Sequence, residues 1–408
     1  MIENEGVSVV EQVVEQEVSP RRRRAGDLSL ESEELEVQRF APNINNARNQ
    51  LLNKTKKFLS DRIKSVIDTK GLCKIAIFTH PSPDPDAIGS QMGLAWLLRK
   101  AYENIEVDCY FDGHVSHPQN QRMCNLLDPD LKLCTFCNID SYDFKICVDT
   151  IPAHASCPEN TNYDLVVDHH KEIPNGTFKG LYLNLKAGSS CSTIYQMIKS
   201  HGLKFEEDND ADSKVATALL VGIITDTEYQ TSDDTIDLDH EAYRDLFEFR
   251  NSTALKQITR YKQPREWVQA RAVVALKAHD LIKDGILIHG IGFITTNNRD
   301  LIAAVADEML SWENVETAVA FAVVDGERIE GSIRSSNAAL AVPTLCKELG
   351  CQYGADCGGG GGKLGKGAYH YSLGSCSSDG EMDESIKDKL WEFVNEREIK
   401  RLYKIIKK

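Results

Sequence analysis

His80, Asp84 and Asp86 stand close together in His-Pro-Ser-Pro-Asp-Pro-Asp-Ala-Ile-Gly-Ser, residues 80–90. Hard carboxylate oxygens with one imidazole suit Mn²⁺ or Mg²⁺ better than the metals that prefer thiolates. Pro81, Pro83 and Pro85 forbid helix and ladder pairing between the histidine and the second aspartate, so the stretch is a stiff loop. Alone, it would read equally well as a proline-rich turn with solvated acids. It is not alone. Asp149 follows the mostly apolar run Phe144–Val148, Asp168-His169-His170 follow Leu165–Val167, and Asp226 follows the apolar run Val215–Ile224. One aspartate at a strand end is ordinarily a cap or turn residue. Acids and imidazoles that recur after several strands form a constellation.

The residues between these groups say what positions them. Cys73–Phe78 reads as a buried parallel strand, and Ile88, Met92, Leu94, Ala95, Leu97 and Leu98 as the helix after it. Ile105–Tyr110, Phe144–Val148, Leu165–Val167 and Leu181–Leu185 predict further strands. Helices are expected from Ile44 to Ile67, after Ala187–Thr193, and over Val215–Ile224. Strands alternating with helices predict an α/β fold on a parallel sheet. The carboxyl ends of such strands share one edge, so groups that follow different strands can converge there.

The second half begins a new alternation. Helix formers and charges dominate from about Thr231 to Leu281, then strands are expected at Gly285–Phe293, Val315–Val324, Arg328–Ser335 and Ala368–Leu373, with helices at Asp300–Leu310 and Ala341–Leu349. Five consecutive glycines, Gly358–Gly362, precede the last strand. They would let backbone N–H groups approach an anion or a flat base; a flexible linker is the alternative, disfavoured by the ordered elements around it. An amphipathic helix, Ile386–Ile406, is expected to pack on the second domain or, in a homodimer, on another subunit. The domain reading is thus an acidic disordered tail over 1–42, a catalytic domain over 43–250, a helical linker over 251–284, a substrate-binding domain over 285–380 and a terminal helix over 381–408.

A chain of 408 residues can hold two full cores. The net charge of -15 argues against a broad basic face that grips long nucleic acid, while leaving room for a short nucleotide held by local cations and metal. No run of about 18 apolar residues predicts a membrane span, and the acidic N-terminus lacks the apolar stretch of a secretory signal. The 12 cysteines are scattered, several in apolar runs (Cys73, Cys147, Cys191), as reduced thiols are in a cytoplasmic protein. Cys134-Thr-Phe-Cys137 is a lone CxxC, read as core or loop thiols rather than a zinc or redox site. The tail carries Arg21–Arg24 and a short helix is expected near Val9–Val18; the arginines read as a solvated run, with a protein or nucleic-acid partner as the alternative.

The blocks together resemble the DHH phosphoesterase family, named for the triplet at Asp168-His169-His170. His80-x-x-Pro-Asp84-x-Asp86-Ala-x-Gly-Ser90 is similar to its first motif, Val148-Asp149-Thr150 to the second, and Gly222-Ile-Ile-Thr-Asp226-Thr227 to the fourth, in the family's order. The second half resembles the DHH-associated C-terminal domain, and the whole looks like the oligoribonuclease and RecJ-like nuclease branch. The resemblance implies a parallel-sheet catalytic domain with a smaller α/β substrate-binding domain across a cleft. It implies two Mn²⁺ (or Mg²⁺) ions, one held by His80, Asp84 and Asp149, the other by Asp86, Asp149, His169 and Asp226, with Asp149 bridging. Such ions can activate water and neutralise phosphate oxygens. Asp168 is then expected to orient an imidazole, and His170 to face substrate as phosphate ligand or general acid. Ser90, Ser189, Ser190, Arg334, Ser335, Gly359, Gly360, Gly361, Gly362 and Lys363 are expected to contact substrate. Lys363 is a departure, since the family often has histidine directly after its glycines.

The activity implied is hydrolysis of phosphoester bonds in small nucleotides: short oligonucleotides, dinucleotides or 3′-phosphoadenosine 5′-phosphate. A processive single-strand exonuclease would need a basic, aromatic-lined channel, which the acidic balance opposes. A pyrophosphatase of the same superfamily is disfavoured by the glycine run. A catalytically inactive nucleotide-binding or scaffold protein would be marked by lost ligands, and every matched ligand is present.

Overall fold

The computed structural model describes residues 30–156, 161–174, 178–351, 358–374 and 383–407. The short helix expected near Val9–Val18 and the block Arg21–Arg24 lie outside the described residues. The chain forms two compact units, one of residues up to Tyr261 except Ser116–Pro118, the other of Ser116–Pro118 together with Lys262 onward. In the second unit the His117 ring stands edge-on to Trp267, with ring centroids 5.4 Å apart.

The first unit runs α1 (Leu30–Lys70), β1 (Cys73–Phe78), α2 (Pro85–Ala101), β2 (Ile105–Phe111), α3 (Pro118–Leu127), β3 (Leu131–Leu133), β4 (Phe144–Val148), β5 (Leu165–Val167), β6 (Leu181–Leu183), α4 (Ser190–Ser200), α5 (Asp210–Asp226), α6 (Asp237–Phe247) and α7 (Ser252–Thr259). Its strands are all parallel, in the order β3-β2-β1-β4-β5-β6. The order reverses at β1, so the crevice beyond the carboxyl ends of β1 and β4 is the place where such sheets hold ligands. Ile75 and Ile77 pack with Leu59 and Ile63 of α1, Leu94 and Leu97 of α2 and Leu219 of α5. Ala76 and Phe78 turn to the other face, against Tyr110, Cys147, Tyr163 and Val166. Burial on both faces is what an almost unbroken apolar strand requires. Fully buried Gln91 donates to the carbonyls of Ile77 (3.0 Å) and Tyr110 (2.9 Å), tying the carboxyl ends of β1 and β2 together.

Helix α1 starts at Leu30, well before the expected Ile44. Leu, Glu, Gln and Arg, all good helix formers, fill most of residues 30–39, so the backbone is helical where an acidic tail was expected. Three-residue β3 is too short to carry a readable alternation.

The second unit runs α8 (Arg265–Leu281), β7 (Ile286–Ile294), α9 (Asp300–Leu310), β8 (Thr317–Val324), β9 (Arg328–Ser335), α10 (Val342–Cys351), β10 (Gly358–Lys363), β11 (Lys366–Ser372) and α11 (Glu384–Ile406). Its sheet has the order β10-β11-β9-β8-β7, parallel only between β7 and β8. Leu301, Ile302 and Val305 of α9, with Trp267 and Val274 of α8, cover one face over Ala318, Ala320 and Ala322. Leu345 and Leu349 of α10, with Val394 and Leu402 of α11, cover the other over Phe321, Ile329, Ile333, Tyr369 and Tyr371. The segment expected to be a helical linker is divided: Ala254 and Ile258 of α7 are core residues of the first unit, and α8 belongs to the second. The fold is therefore the expected α/β pair, a parallel-sheet domain and a smaller mixed-sheet domain. No helix among the described residues is long and apolar enough to cross a membrane.

The glycine run is a strand, paired antiparallel with β11 from Gly358–Tyr371 to Lys363–Lys366. Strand propensity alone would not place glycine there. Close packing does: a Cβ on Gly360 would lie 2.1 Å from the Cys346 carbonyl oxygen on α10.

Candidate metal centre

Asp84 caps α2, its Oδ1 accepting the N–H groups of Asp86 and Ala87, each at 3.0 Å, with Pro85 at the first helical position. Cap and metal ligand are compatible uses of one carboxylate, which has lone pairs beyond those the two amides engage. The His80 Nδ1–H donates to the Pro81 carbonyl at 3.0 Å, which turns Nε2 toward Asp149 Oδ2 (3.6 Å) and Asp84 Oδ1 (3.8 Å). Fixing one ring nitrogen on a carbonyl and offering the other is how a metal-ligating histidine is held.

Asp86 is fully buried, and α4 begins on it. The N–H of Ser190 donates to Oδ2 (2.7 Å) and that of Cys191 to Oδ1 (2.9 Å), so the helix N-terminus grips the carboxylate. Asp149 follows β4 with φ +55, and its N–H donates to the Val167 carbonyl at 2.9 Å. That left-handed turn aims its carboxylate back over the strand ends, 2% exposed, where Oδ1 accepts from Ser190 Oγ at 3.0 Å. His169 follows β5, and its buried Nε2 has no hydrogen-bond partner among the described residues while standing 3.3 Å from Asp226 Oδ2, 3.5 Å from Asp149 Oδ1 and 3.9 Å from Asp86 Oδ2. Asp226 arrives at the C-terminal end of α5.

Ligand-capable atoms within 4.8 Å of one another form three overlapping groups: His80, Asp84 and Asp149; Asp86, His169 and Asp226; and Asp149, His169 and His170. The donors are carboxylate oxygens and imidazole nitrogens, with an orphaned buried Nε2 at the junction, so they fit hard divalent cations. The electrostatics agree. Burial, then the charges of Asp149 and Asp226, push Asp86 well above the usual carboxylate range. Burial likewise raises Asp149, with Asp84 adding to it and His80 opposing. Burial alone would lower both histidines; the carboxylates overcome it, carrying His169 up to about 10 and His80 well above its ordinary value. Carboxylates so crowded need positive charge among them.

Asp168 lies one shell back. Its Oδ1 accepts the N–H groups of His169 (2.9 Å) and His170 (3.4 Å) and the His170 Nδ1–H (2.8 Å). The imidazole it orients is thus His170, whose side chain is 49% exposed and presents Nε2. Burial pulls His170 down, but the bond to Asp168 outweighs it and its pKa is raised.

The three serines expected to touch substrate are buried and bonded within the frame. Ser90 is buried and donates to Cys191 Sγ at 3.6 Å. Ser189 is the N-cap of α4, accepting from Ser192 N–H at 3.1 Å. Ser190 holds Asp86 and Asp149, as above. A serine run at a strand-to-helix turn resembles a phosphate cradle, yet here the turn folds inward onto carboxylates. Ser190, as the residue that braces Asp149, had no signal in the sequence beyond its place at a helix start.

In the second unit Arg334 is 12% exposed on its side chain and nearly saturated. Nε and Nη2 donate to Asp307 at 2.5 and 3.3 Å, and Nη1 to Ser332 Oγ (2.7 Å) and the Ile333 carbonyl (3.1 Å). Ser335 is buried, its hydroxyl bonded to Thr317 Oγ1 at 2.9 Å, which ties β9 to β8. Gly359–Gly362 lie in β10. Gly361 has open space where a Cβ would be, and the His370 ring lies 3.2 Å from that position on Gly359. The Lys363 side chain is outside the described residues.

Residues 74–223 match the DHH family, N-terminal domain. The chain is 28% identical over 331 residues to an uncharacterized protein of Methanocaldococcus jannaschii, covering 79% of this chain and 65% of that protein. It is 27% identical over 163 residues to a probable manganese-dependent inorganic pyrophosphatase of Streptococcus agalactiae, covering 38% of this chain and 49% of that protein. It thus spans less than two thirds of the length of either relative. Among solved structures, an exopolyphosphatase-related protein from Bacteroides fragilis aligns with a TM-score of 0.59 at 15% identity, over 88% of this chain and 98% of that one; the likeness is one of fold.

Proposed function

We propose that this protein, a hydrolase with a DHH-family phosphoesterase fold around a metal-coordinating cluster, cleaves phosphoester bonds in small nucleotides with the help of Mn²⁺. The observation that carries the reading is the meeting of three ligand groups at shared residues, Asp149 and His169. One cation would be held by His80, Asp84 and Asp149 and a second by Asp86, Asp149, His169 and Asp226. Bound there, divalent cations supply Lewis acidity toward the phosphoryl oxygens and make water acidic enough to act as nucleophile near neutral pH.

The chain's own groups have separate tasks. His170, anchored through Nδ1 on Asp168, holds at Nε2 a proton that the leaving oxygen can take. The Ser190 N–H and hydroxyl keep Asp86 and Asp149 aimed. Arg334 and the glycines of β10 support a nucleotide rather than a bare anion as substrate: a fixed guanidinium for phosphate, and a strand whose backbone a flat group can approach. Buried cysteines such as Cys73 and Cys109 accord with a reducing, cytoplasmic setting.

A second reading, hydrolysis of a phosphoanhydride, is favoured by the likeness to the streptococcal protein over 38% of the chain. The two readings separate in a panel of a dinucleotide, 3′-phosphoadenosine 5′-phosphate and inorganic pyrophosphate, each with Mn²⁺ and with EDTA. Turnover of the first two, lost in EDTA and restored by Mn²⁺, is the expected result. Turnover of pyrophosphate alone would replace it with the second reading.

Arg334→Ala tests the second unit's part. Among the described residues four of its five N–H groups find partners, so phosphate capture draws on the charge and on exchange of Asp307. Losing a charge-assisted contact costs roughly 1.5–3 kcal/mol. KM for the dinucleotide should rise about tenfold or more, while bis-p-nitrophenyl phosphate is cleaved as before. Equal losses on both substrates would make Arg334 part of the catalytic apparatus instead.

A further inference from the structure

Immediately after Asp226, Glu228, Tyr229 and Gln230 take φ values of +49, +60 and +66. Three successive residues with full side chains in the left-handed region are costly, and glycine or asparagine would serve such a turn better. The turn is held against that cost by its backbone. Tyr229 N–H donates to the Ile224 carbonyl (2.8 Å), and Thr231 and Ser232 N–H to the Thr227 carbonyl (2.9 and 3.0 Å). Fully buried Thr227 donates its hydroxyl to the Ile223 carbonyl (2.5 Å) and accepts from Gln230 N–H (3.1 Å). None of these bonds uses the Tyr229 side chain, which is 66% exposed. Strain that the surroundings over-determine tends to sit at functional sites. Here it sits three residues from a metal-centre carboxylate, with Cα atoms at most roughly 11 Å apart along the chain.

We propose that Tyr229 is the platform on which the planar group of the substrate stacks while its phosphate lies at the metal centre. This rests on the nucleotide reading above and deepens it: the ligand class is a phosphate borne by an aromatic base. Stacking on a ring face is tolerant of base identity, since every base has a π-face. The residue therefore selects nucleotides over bare phosphates without selecting among bases.

The test is equilibrium binding of adenosine 5′-monophosphate and of ribose 5-phosphate to the full Mn²⁺-loaded chain, as wild type, Tyr229→Ala and Tyr229→Phe. The wild type is expected to prefer the nucleotide by roughly tenfold. Tyr229→Ala should erase that preference with ribose 5-phosphate binding unchanged, and Tyr229→Phe should keep it. In turnover, Tyr229→Ala should raise KM for a dinucleotide and leave kcat alone. Equal binding of the two ligands by the wild type, or an equal loss of both in Tyr229→Ala, would overturn the proposal; the latter would make the turn a prop for Asp226. Absence of dinucleotide turnover in the wild type would instead remove the nucleotide hydrolase reading, while the binding ratio still decides the role of Tyr229.

Discussion

Asp149→Ala is expected to lower turnover of every substrate by at least about a thousandfold and to empty the metal centre as a whole. The magnitude is the scale seen when a group that stabilises transition-state charge is removed, compounded by loss of the cations themselves. Asp149 faces His80 through Oδ2 and His169 through Oδ1, so it belongs to groups on both sides of the cluster. No neighbour can replace it. Asp84 is committed to capping α2 by one oxygen, and both oxygens of Asp86 are held by amides of α4. Asp149→Asn separates charge from shape. The amide can still accept from Ser190 Oγ, and the buried like-charge crowding that raises Asp149 is relieved. The metal-free asparagine variant should melt no lower than wild type, yet bind Mn²⁺ as poorly as the alanine variant. Metal content by elemental analysis and melting temperature decide this; a variant with full Mn²⁺ occupancy and activity within tenfold of wild type would remove Asp149 from the centre.

Gly222→Ala should be nearly as damaging without touching any ligand. A Cβ on Gly222 would stand 2.5 Å from Cys191 Sγ and 2.9 Å from both the Cα and the Oδ1 of Asp86. The thiol can shift; the Asp86 backbone, in the first turn of α2, cannot move without carrying its carboxylate with it. Overpacking of this kind costs typically 1–3 kcal/mol of stability, and a ligand displaced by about 1 Å can cost on the order of a hundredfold in rate. The expected result is a protein that folds with a lowered denaturation midpoint, binds Mn²⁺ weakly and has lost about two orders of magnitude in kcat/KM. Adding Cys191→Ala should restore stability more than activity, because the clash with Asp86 remains. Wild-type metal affinity in Gly222→Ala would show that α2 and α5 separate freely, against the packing described here.

The sheet of the first unit was legible because its central strands are apolar on both faces and end in abrupt polar turns; Cys73–Phe78 and Phe144–Val148 begin and end where expected. Convergence of the acids followed from topology, since parallel strands put Asp84, Asp149 and His169 at one edge whatever their separation in sequence. Asp226 joined them from a helix end, which a strand-based argument reaches only by analogy. What did not show was the direction of short polar side chains. Ser90, Ser189 and Ser190 are the residue types that cradle phosphates, and also the types that cap helices and brace carboxylates; only the packing of α4 on α2 decides. Nor does sequence reveal that Arg334 already has a carboxylate partner on α9, because Asp307 lies on a different element. The interleaving of Ser116–Pro118 with the second unit is equally silent, for three residues carry no pattern of their own.

The outermost strand of the second sheet has a consequence for the behaviour of the protein in solution. β10 gives up more chain freedom than any other strand described, about 0.5–1 kcal/mol per glycine relative to alanine, and among the described residues is paired on one side only. Its hold depends on the close seat of α10, where a Cβ on Gly350 would lie 2.1 Å from the Gly359 carbonyl oxygen. Such a segment is expected to open locally at lower free energy than the molecule unfolds, and hydrogen exchange should find its amides exchanging ahead of those of β8. Each opening uncovers the outer backbone of β11, a row of donors and acceptors ready to recruit a strand from another molecule. The glycines that let the backbone be approached closely also make this edge the first place where the protein can self-associate under mild denaturant.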